Sequence, residues 1–300
     1  MLDCSKKCRL WKKILPSPLV FEQTIPFWWD VLLQKFLPAA STELLVKQQH
    51  KFESDWACVS TALSSLSKSE YAYYWFVVGT RTFYYSDPDT EADEDPEECL
   101  ALLPFVDLFN HASDGCEVVF STEAYKFTAK KEIHTGQEIF TSYGAHSNDF
   151  LLTEYGFVLE DNPNDVVVLD PVLFCRFDDR QREILKSHSY WGEYTLDANG
   201  VCYRTQVAIR LLCMPNNLWQ KYLAEGFDED DDFKDAVVSI LQNNLKQYIL
   251  IAQNMIEELS QLDARFSVQR ALLNKRWHQI LQTVEHALLV TYSKAEDERG

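Results

Sequence analysis

Behind Pro26, the residues Trp28, Val31, Leu32 and Phe36 recur at helical spacing until Pro38 breaks the run. Ser41 and Thr42 then offer caps for a second helical segment reaching towards Leu66. Tyr71 to Phe83 is dense in Tyr, Trp, Phe and Val, and periodicity alone does not separate helix from strand there. From Leu100 to Phe157 the pattern shifts to short apolar or alternating pieces at 101–106, 116–121, 124–129 and 138–142. Ser113-Asp114-Gly115, Thr135-Gly136 and Tyr143-Gly144 separate them, the texture of a small β-rich unit with tight connections. Beyond Asn162-Pro163-Asn164, Leu241, Leu245, Tyr248, Ala252, Met255 and Leu259 step by four and three. Leu273, Trp277, Ile280, Val284 and Ala287 do the same, which predicts two long amphipathic helices. The expected organisation is α+β: a β unit with a helical insert over about 20–75 in residues 1–164, then a helical domain over 165–300.

Composition narrows the function. The 300 residues carry a formal charge of −18, and 13% of them are aromatic. Such an acidic balance argues against nucleic acid as a partner and favours a basic protein. The charge is concentrated: Asp87 to Glu98 holds eight carboxylates and no cation, and Asp228 to Asp235 holds six with one Lys. These runs predict solvated loops, one at 86–99 and one between helices of the second domain. The eight cysteines are scattered without a CxxC pair, as reduced thiols would be, and no zinc or other metal site is expected. The uncharged aromatic run from Tyr71 to Thr80 is too short to span a bilayer, and no signal peptide precedes it. A soluble monomer in the cytoplasm or nucleus is expected.

Nine glycines give no GxGxxG, P-loop or GxSxG elbow, and the histidines give no HExxH. One concentrated block remains. Leu103-Pro104-Phe105-Val106-Asp107-Leu108-Phe109-Asn110-His111 is followed by Ile139-Phe140-Thr141-Ser142-Tyr143-Gly144, then His146-Ser147-Asn148 and Glu154-Tyr155-Gly156-Phe157. Each piece alone reads as a turn or strand end; their order and spacing together do not.

In that block, and in Thr80-Arg81-Thr82-Phe83 upstream, the sequence resembles the SET-domain protein-lysine methyltransferases of the Rubisco large-subunit methyltransferase group. Within the group it is nearest to fungal enzymes acting on ribosomal or other cytosolic proteins. The resemblance implies a split SET domain with short β-sheets, a pseudoknot and a helical insert, joined to an all-α substrate-binding domain. It implies S-adenosylmethionine as methyl donor, entering opposite a protein lysine. Carried over by motif, Tyr143 is the catalytic tyrosine and also borders the donor, Arg81 pairs with the donor carboxylate, Asn110 and His111 contact the donor, and Phe157 packs near its adenine. Tyr155, Phe105 and Asp107 would line the lysine channel. The family's first β segment normally carries Gly-x-Gly, whereas no Gly precedes Gly79, so that lobe is expected to be missing and Met1 to lie just ahead of the helical insert. Two alternatives follow: an impaired module that binds basic proteins, or methylation of histidine instead of lysine.

Overall fold

The computed structural model describes residues 9–84, 100–120, 124–226 and 232–297. The acidic run 86–99 and the first half of the run at 228–235 lie outside the described residues. The chain divides into two compact units, 1–34 with 43–164 and 35–42 with 165–300. The stretch 35–42, placed by sequence in the first domain, belongs to the second: the buried indole of Trp277 donates to the Phe36 carbonyl at 2.7 Å.

The first unit holds α1 (Arg9–Lys12), α2 (Pro18–Thr24), α3 (Val31–Gln34), all but the first turn of α4 (Ala39–Ala62), and α5 (Lys68–Arg81). Ser41 and Thr42 do not cap α4, which begins directly after Pro38. The Thr42 hydroxyl instead turns back to the Pro38 carbonyl at 3.1 Å, within the first turn. Tyr71 to Phe83 resolves into helix, then strand. A capping box formed by Ser67 and Glu70 starts α5, and Ala72, Phe76 and Val77 form its buried face. Phe76 and Val77 pack with Phe21 and Ile25 in an aromatic core that Phe27, Trp28 and Trp75 border. That packing fixes the end of α5, where Arg81 sits.

Immediately after Arg81, β1 (Thr82–Tyr84) pairs antiparallel with β2 (Leu100–Leu102). A second sheet runs β4-β3-β5: β3 (Asn110–Phe120) pairs antiparallel with β4 (Tyr125–Thr128) and parallel with β5 (Phe140–Thr141). The parallel pair puts Asn110 opposite Phe140 and His111 opposite Thr141, so two motif segments distant in sequence lie side by side. Cys116 also registers on Thr141, with a shift between 111 and 116. Gly115 makes this close passage possible, since a Cβ there would stand 2.6 Å from the Thr141 carbonyl carbon.

The second unit is mainly helical, as the periodicity indicates, with α7 (Asp170–Leu173), α8 (Asp179–Ser187), α9 (Tyr203–Cys213) and α10 (Asn216–Glu225) ahead of two long helices, and it adds a short antiparallel sheet whose strands are too brief for the sequence pattern to show. Its strands β6 (Val167–Val168), β7 (Thr195–Asp197) and β8 (Gly200–Val201) lie in that order. The long helices α11 (Lys234–Ser260) and α12 (Ser267–Asp297) pack together, burying Leu241, Leu245 and Tyr248 on one and Leu273, Trp277 and Ile280 on the other. Arg276 of α12 is wholly buried, with Nη1 2.6 Å from Asp165 Oδ2.

Two glycines offer opposite expectations. Gly115→Ala drives a methyl group into the β5 backbone and should cost about 1–3 kcal/mol. Gly79→Ala, in the interior of α5 with open space around its Cα, should gain about 0.5–1 kcal/mol. Denaturant titrations of both variants check this; equal effects would contradict the close approach.

Candidate active site

Three segments meet in the first unit. Arg81 ends α5, and its Nη1 donates to the Asp107 carbonyl at 2.9 Å and to Asp107 Oδ2 at 3.2 Å. Asp107 lies in the tight helical turn Val106–Leu108, entered through Phe105 in the left-handed region at φ 74°. A non-glycine residue held there stores backbone strain, which the surrounding contacts must offset. The Asp107 carboxylate is buried and takes a further hydrogen bond from the Trp11 indole at 2.7 Å.

The second segment opens β3. The Asn110 amide donates to Glu138 Oε1 at 2.6 Å, and the neighbouring His111 is buried. The third follows β5. The Tyr143 backbone N–H donates to His111 Nδ1 at 3.0 Å, and the two rings stack at 5.1 Å. An accepting Nδ1 means that the imidazole is neutral on that nitrogen. Burial holds the His111 pKa below its ordinary value and His146 reinforces this, while a hydrogen bond with the Thr141 backbone opposes it. The Tyr143 hydroxyl donates to the Phe109 carbonyl at 2.7 Å. Burial pushes its pKa up to about 12, helped by Tyr155 and opposed by Arg81, so the phenol stays protonated at any physiological pH.

Aromatic rings close around this phenol. Helix α6 (Asn148–Tyr155) starts on a Ser147 cap and ends at Gly156, whose φ of 80° turns the chain back. A Cβ at Gly156 would meet the Thr24 hydroxyl at 2.7 Å, so the turn seats tightly against α2. It delivers Tyr155 and Phe157 with ring centroids 5.0 and 6.4 Å from that of Tyr143. Burial also raises the Tyr155 pKa.

Two cavities flank the cluster. One of about 360 Å³ is lined by Arg81, Asn110 and Phe157 together with Phe21 and Thr24 of α2. The other, about 190 Å³, is lined by Thr82, Phe83, Phe109 and Ser142. Thr80, Arg81, Asp107, Tyr143 and Tyr155 border both. The larger falls within the range of small-ligand sites, about 300–1,000 Å³. Among the described residues no cluster of His, Cys, Asp and Glu is placed to hold a metal ion.

Most residues singled out in the sequence therefore come together, with two differences. Phe105 is half exposed and borders neither cavity, because its left-handed backbone turns it outward to shape the turn that carries Asp107. His111 also borders neither; it holds the Tyr143 backbone instead. Three contributors were not singled out. Phe109 offers its carbonyl to Tyr143, and His146 Nε2 lies 3.1 Å from the Tyr143 carbonyl while its ring stacks on Phe150 at 4.1 Å. Both sit inside the motif stretches, where their spacing was visible but not their contacts. Trp11, an isolated aromatic among lysines, gives no sequence signal at all.

Comparison with known proteins agrees with this geometry. Residues 30–144 match the SET domain family, and residues 167–289 match the ribosomal lysine N-methyltransferase 2 C-terminal domain. Ribosomal lysine N-methyltransferase set11 of Schizosaccharomyces pombe is 32% identical over 201 residues, covering 67% of this chain and 51% of that protein. Ribosomal lysine N-methyltransferase 2 of Saccharomyces cerevisiae is 26% identical over 284 residues, covering 80% and 59%. SET domain-containing protein 4 of mouse is 31% identical over 260 residues, covering 77% and 58%. The chain thus spans between half and three-fifths of the length of these relatives. In fold it is similar to the SET domain of Rubisco large-subunit methyltransferase bound to lysine and S-adenosylhomocysteine. That match has a TM-score of 0.56 at 14% identity and covers 97% of this chain and 71% of the other. The chain is a SET-domain protein: a SET domain over residues 30–144, continued by a C-terminal domain of the ribosomal lysine N-methyltransferase 2 type over residues 167–289.

Proposed function

We propose that this protein transfers a methyl group from S-adenosylmethionine to a lysine side chain of a basic protein, with ribosomal proteins the first class to test. The observation that carries the reading is the Tyr143 phenol, neutral and fixed, in the wall shared by two cavities. The names of the relatives support the same reaction class.

The residues present fit the donor. Arg81 Nε and Asp107 Oδ1 are buried polar atoms without a hydrogen-bond partner in the protein, a cost that a ligand with charged groups would relieve. Arg81, Asn110 and Phe157 border the larger cavity and would hold the donor there, with His111 acting behind Tyr143. The donor supplies an electrophilic methyl carbon on a sulfonium.

The chain's own groups prepare the acceptor. A free lysine amine titrates near about 10.4 and must lose its proton before its lone pair can attack carbon. Burial among Phe83, Phe109, Tyr143 and Tyr155 in the smaller cavity disfavours the ammonium, as does the Arg81 charge beside it, while the Asp107 carboxylate opposes this. The amine lone pair would form the new C–N bond and its proton would leave to solvent, with the donor supplying the methyl carbon and its sulfur taking up the electrons of the C–S bond given up. Tyr143 is too weak an acid to act as the base. Its hydroxyl, pinned on the Phe109 carbonyl, shapes the passage and orients the amine, which is catalysis by positioning.

Two outcomes test this reading. Tyr143→Phe should lower the turnover of labelled methyl groups into extract proteins by about a hundredfold while changing donor affinity little. Equal turnover by both forms would overturn the role of the phenol, and absence of transfer by the wild type with donor binding intact would favour a binding module. Second, the folded-state pKa of His111 is lowered, so its contribution to stability is present above about 6.5 and lost as pH falls through the lowered value. Melting temperature should decline from pH 7 towards 5, and His111→Asn, which keeps an acceptor but does not titrate there, should flatten that decline. An unchanged slope would contradict the assignment of a neutral imidazole.

A further inference from the structure

Trp11 lies in α1, 96 residues before Asp107, and its indole is buried. Its N–H donates to Asp107 Oδ2 at 2.7 Å, the same oxygen that Arg81 Nη1 approaches at 3.2 Å. With Oδ2 held by two donors, the carboxylate plane is fixed and cannot rotate to exchange its oxygens. Oδ1 therefore stays buried and without a partner, as does Nε of Arg81. Asp107 and Arg81 border both cavities, whereas Trp11 borders neither. A buried ion pair left incomplete is costly to a fold that gains nothing from it, because each unsatisfied charged group forfeits its hydration. The two open valences have opposite sign: an acidic oxygen for an ammonium and a guanidinium N–H for a carboxylate. An α-amino acid group carries both.

We propose that Trp11 is a positioning residue for the amino-acid end of the methyl donor, acting through the Asp107 carboxylate and the Arg81 guanidinium beside it. This rests on the methyltransferase reading above. The indole suits the task, since it is a donor only and its rigid ring loses little freedom when buried. The consequence is that the segment 9–12, outside every motif of the family, belongs functionally to the donor site.

The test uses two ligands that share the adenosyl group. S-adenosylhomocysteine carries the amino-acid end, and 5′-methylthioadenosine lacks it. Calorimetry on the whole chain should find that Trp11→Phe, which keeps an aromatic ring and removes only the N–H, weakens S-adenosylhomocysteine about tenfold and leaves 5′-methylthioadenosine unchanged. In an Asp107→Asn background, Trp11→Phe should add little further loss. Equal weakening of both ligands would make Trp11 a structural residue only and overturn the proposal, as would no weakening of either. Failure of the wild-type chain to bind S-adenosylhomocysteine would overturn the donor reading itself, and with it this role. Wild-type binding with an unaffected variant would overturn the role of Trp11 alone.

Discussion

The hydrogen bond from the Tyr143 backbone to His111 Nδ1 is the contact on which the site depends. It joins segments 32 residues apart and requires a neutral imidazole. The strand that brings Tyr143 there, β5, is only Phe140–Thr141, too short to secure its own register. Its position comes from the parallel pairing with the start of β3 and from the absence of a side chain at Gly115, which lets the Thr141 backbone pass within contact distance. Burial works in the same direction twice. It keeps His111 uncharged as an acceptor and Tyr143 uncharged as a donor, so the two groups that define the crossing do not change charge near neutral pH.

Around this crossing the fold tolerates unfavourable features. Phe105 holds a left-handed backbone to place Asp107, and a buried carboxylate and guanidinium each keep a polar atom unsatisfied. The Arg81–Asp107 pair is weak support for stability, since desolvation cancels much of its attraction. Strain and incomplete bonding gathered within one small cluster mark a candidate functional site. In the second unit the buried Arg276 guanidinium, by contrast, reaches both the Asp165 carboxylate and the Val166 carbonyl.

The helical elements were readable because burial repeats at 3.6 residues: the stripes on α11 and α12 stand where Leu241, Leu245, Tyr248 and Trp277 recur. Tyr71 to Phe83 was not decidable by period, since aromatic residues suit both states; the Ser67–Glu70 capping box was the signal that would have settled its start. The site residues Arg81, Asn110, His111, Tyr143, Tyr155 and Phe157 were legible only as a spaced set, through resemblance. Their contacts were not, because pairing between distant segments leaves no local pattern. Phe105 looked like a channel residue by its place in a motif, but its backbone conformation turns it outward. Trp11 carried no trace, as its partner lies far along the chain.

In the proposed reaction the fixed, neutral phenol of Tyr143 orients a lysine amine for methylation. Peptide mass spectrometry of ribosomal proteins, incubated with S-adenosylmethionine and the purified chain, tests it most directly. The expected result is added methyl mass on a lysine side chain of a basic protein. Methyl groups found on histidine, or on no protein at all while the donor binds, would contradict it.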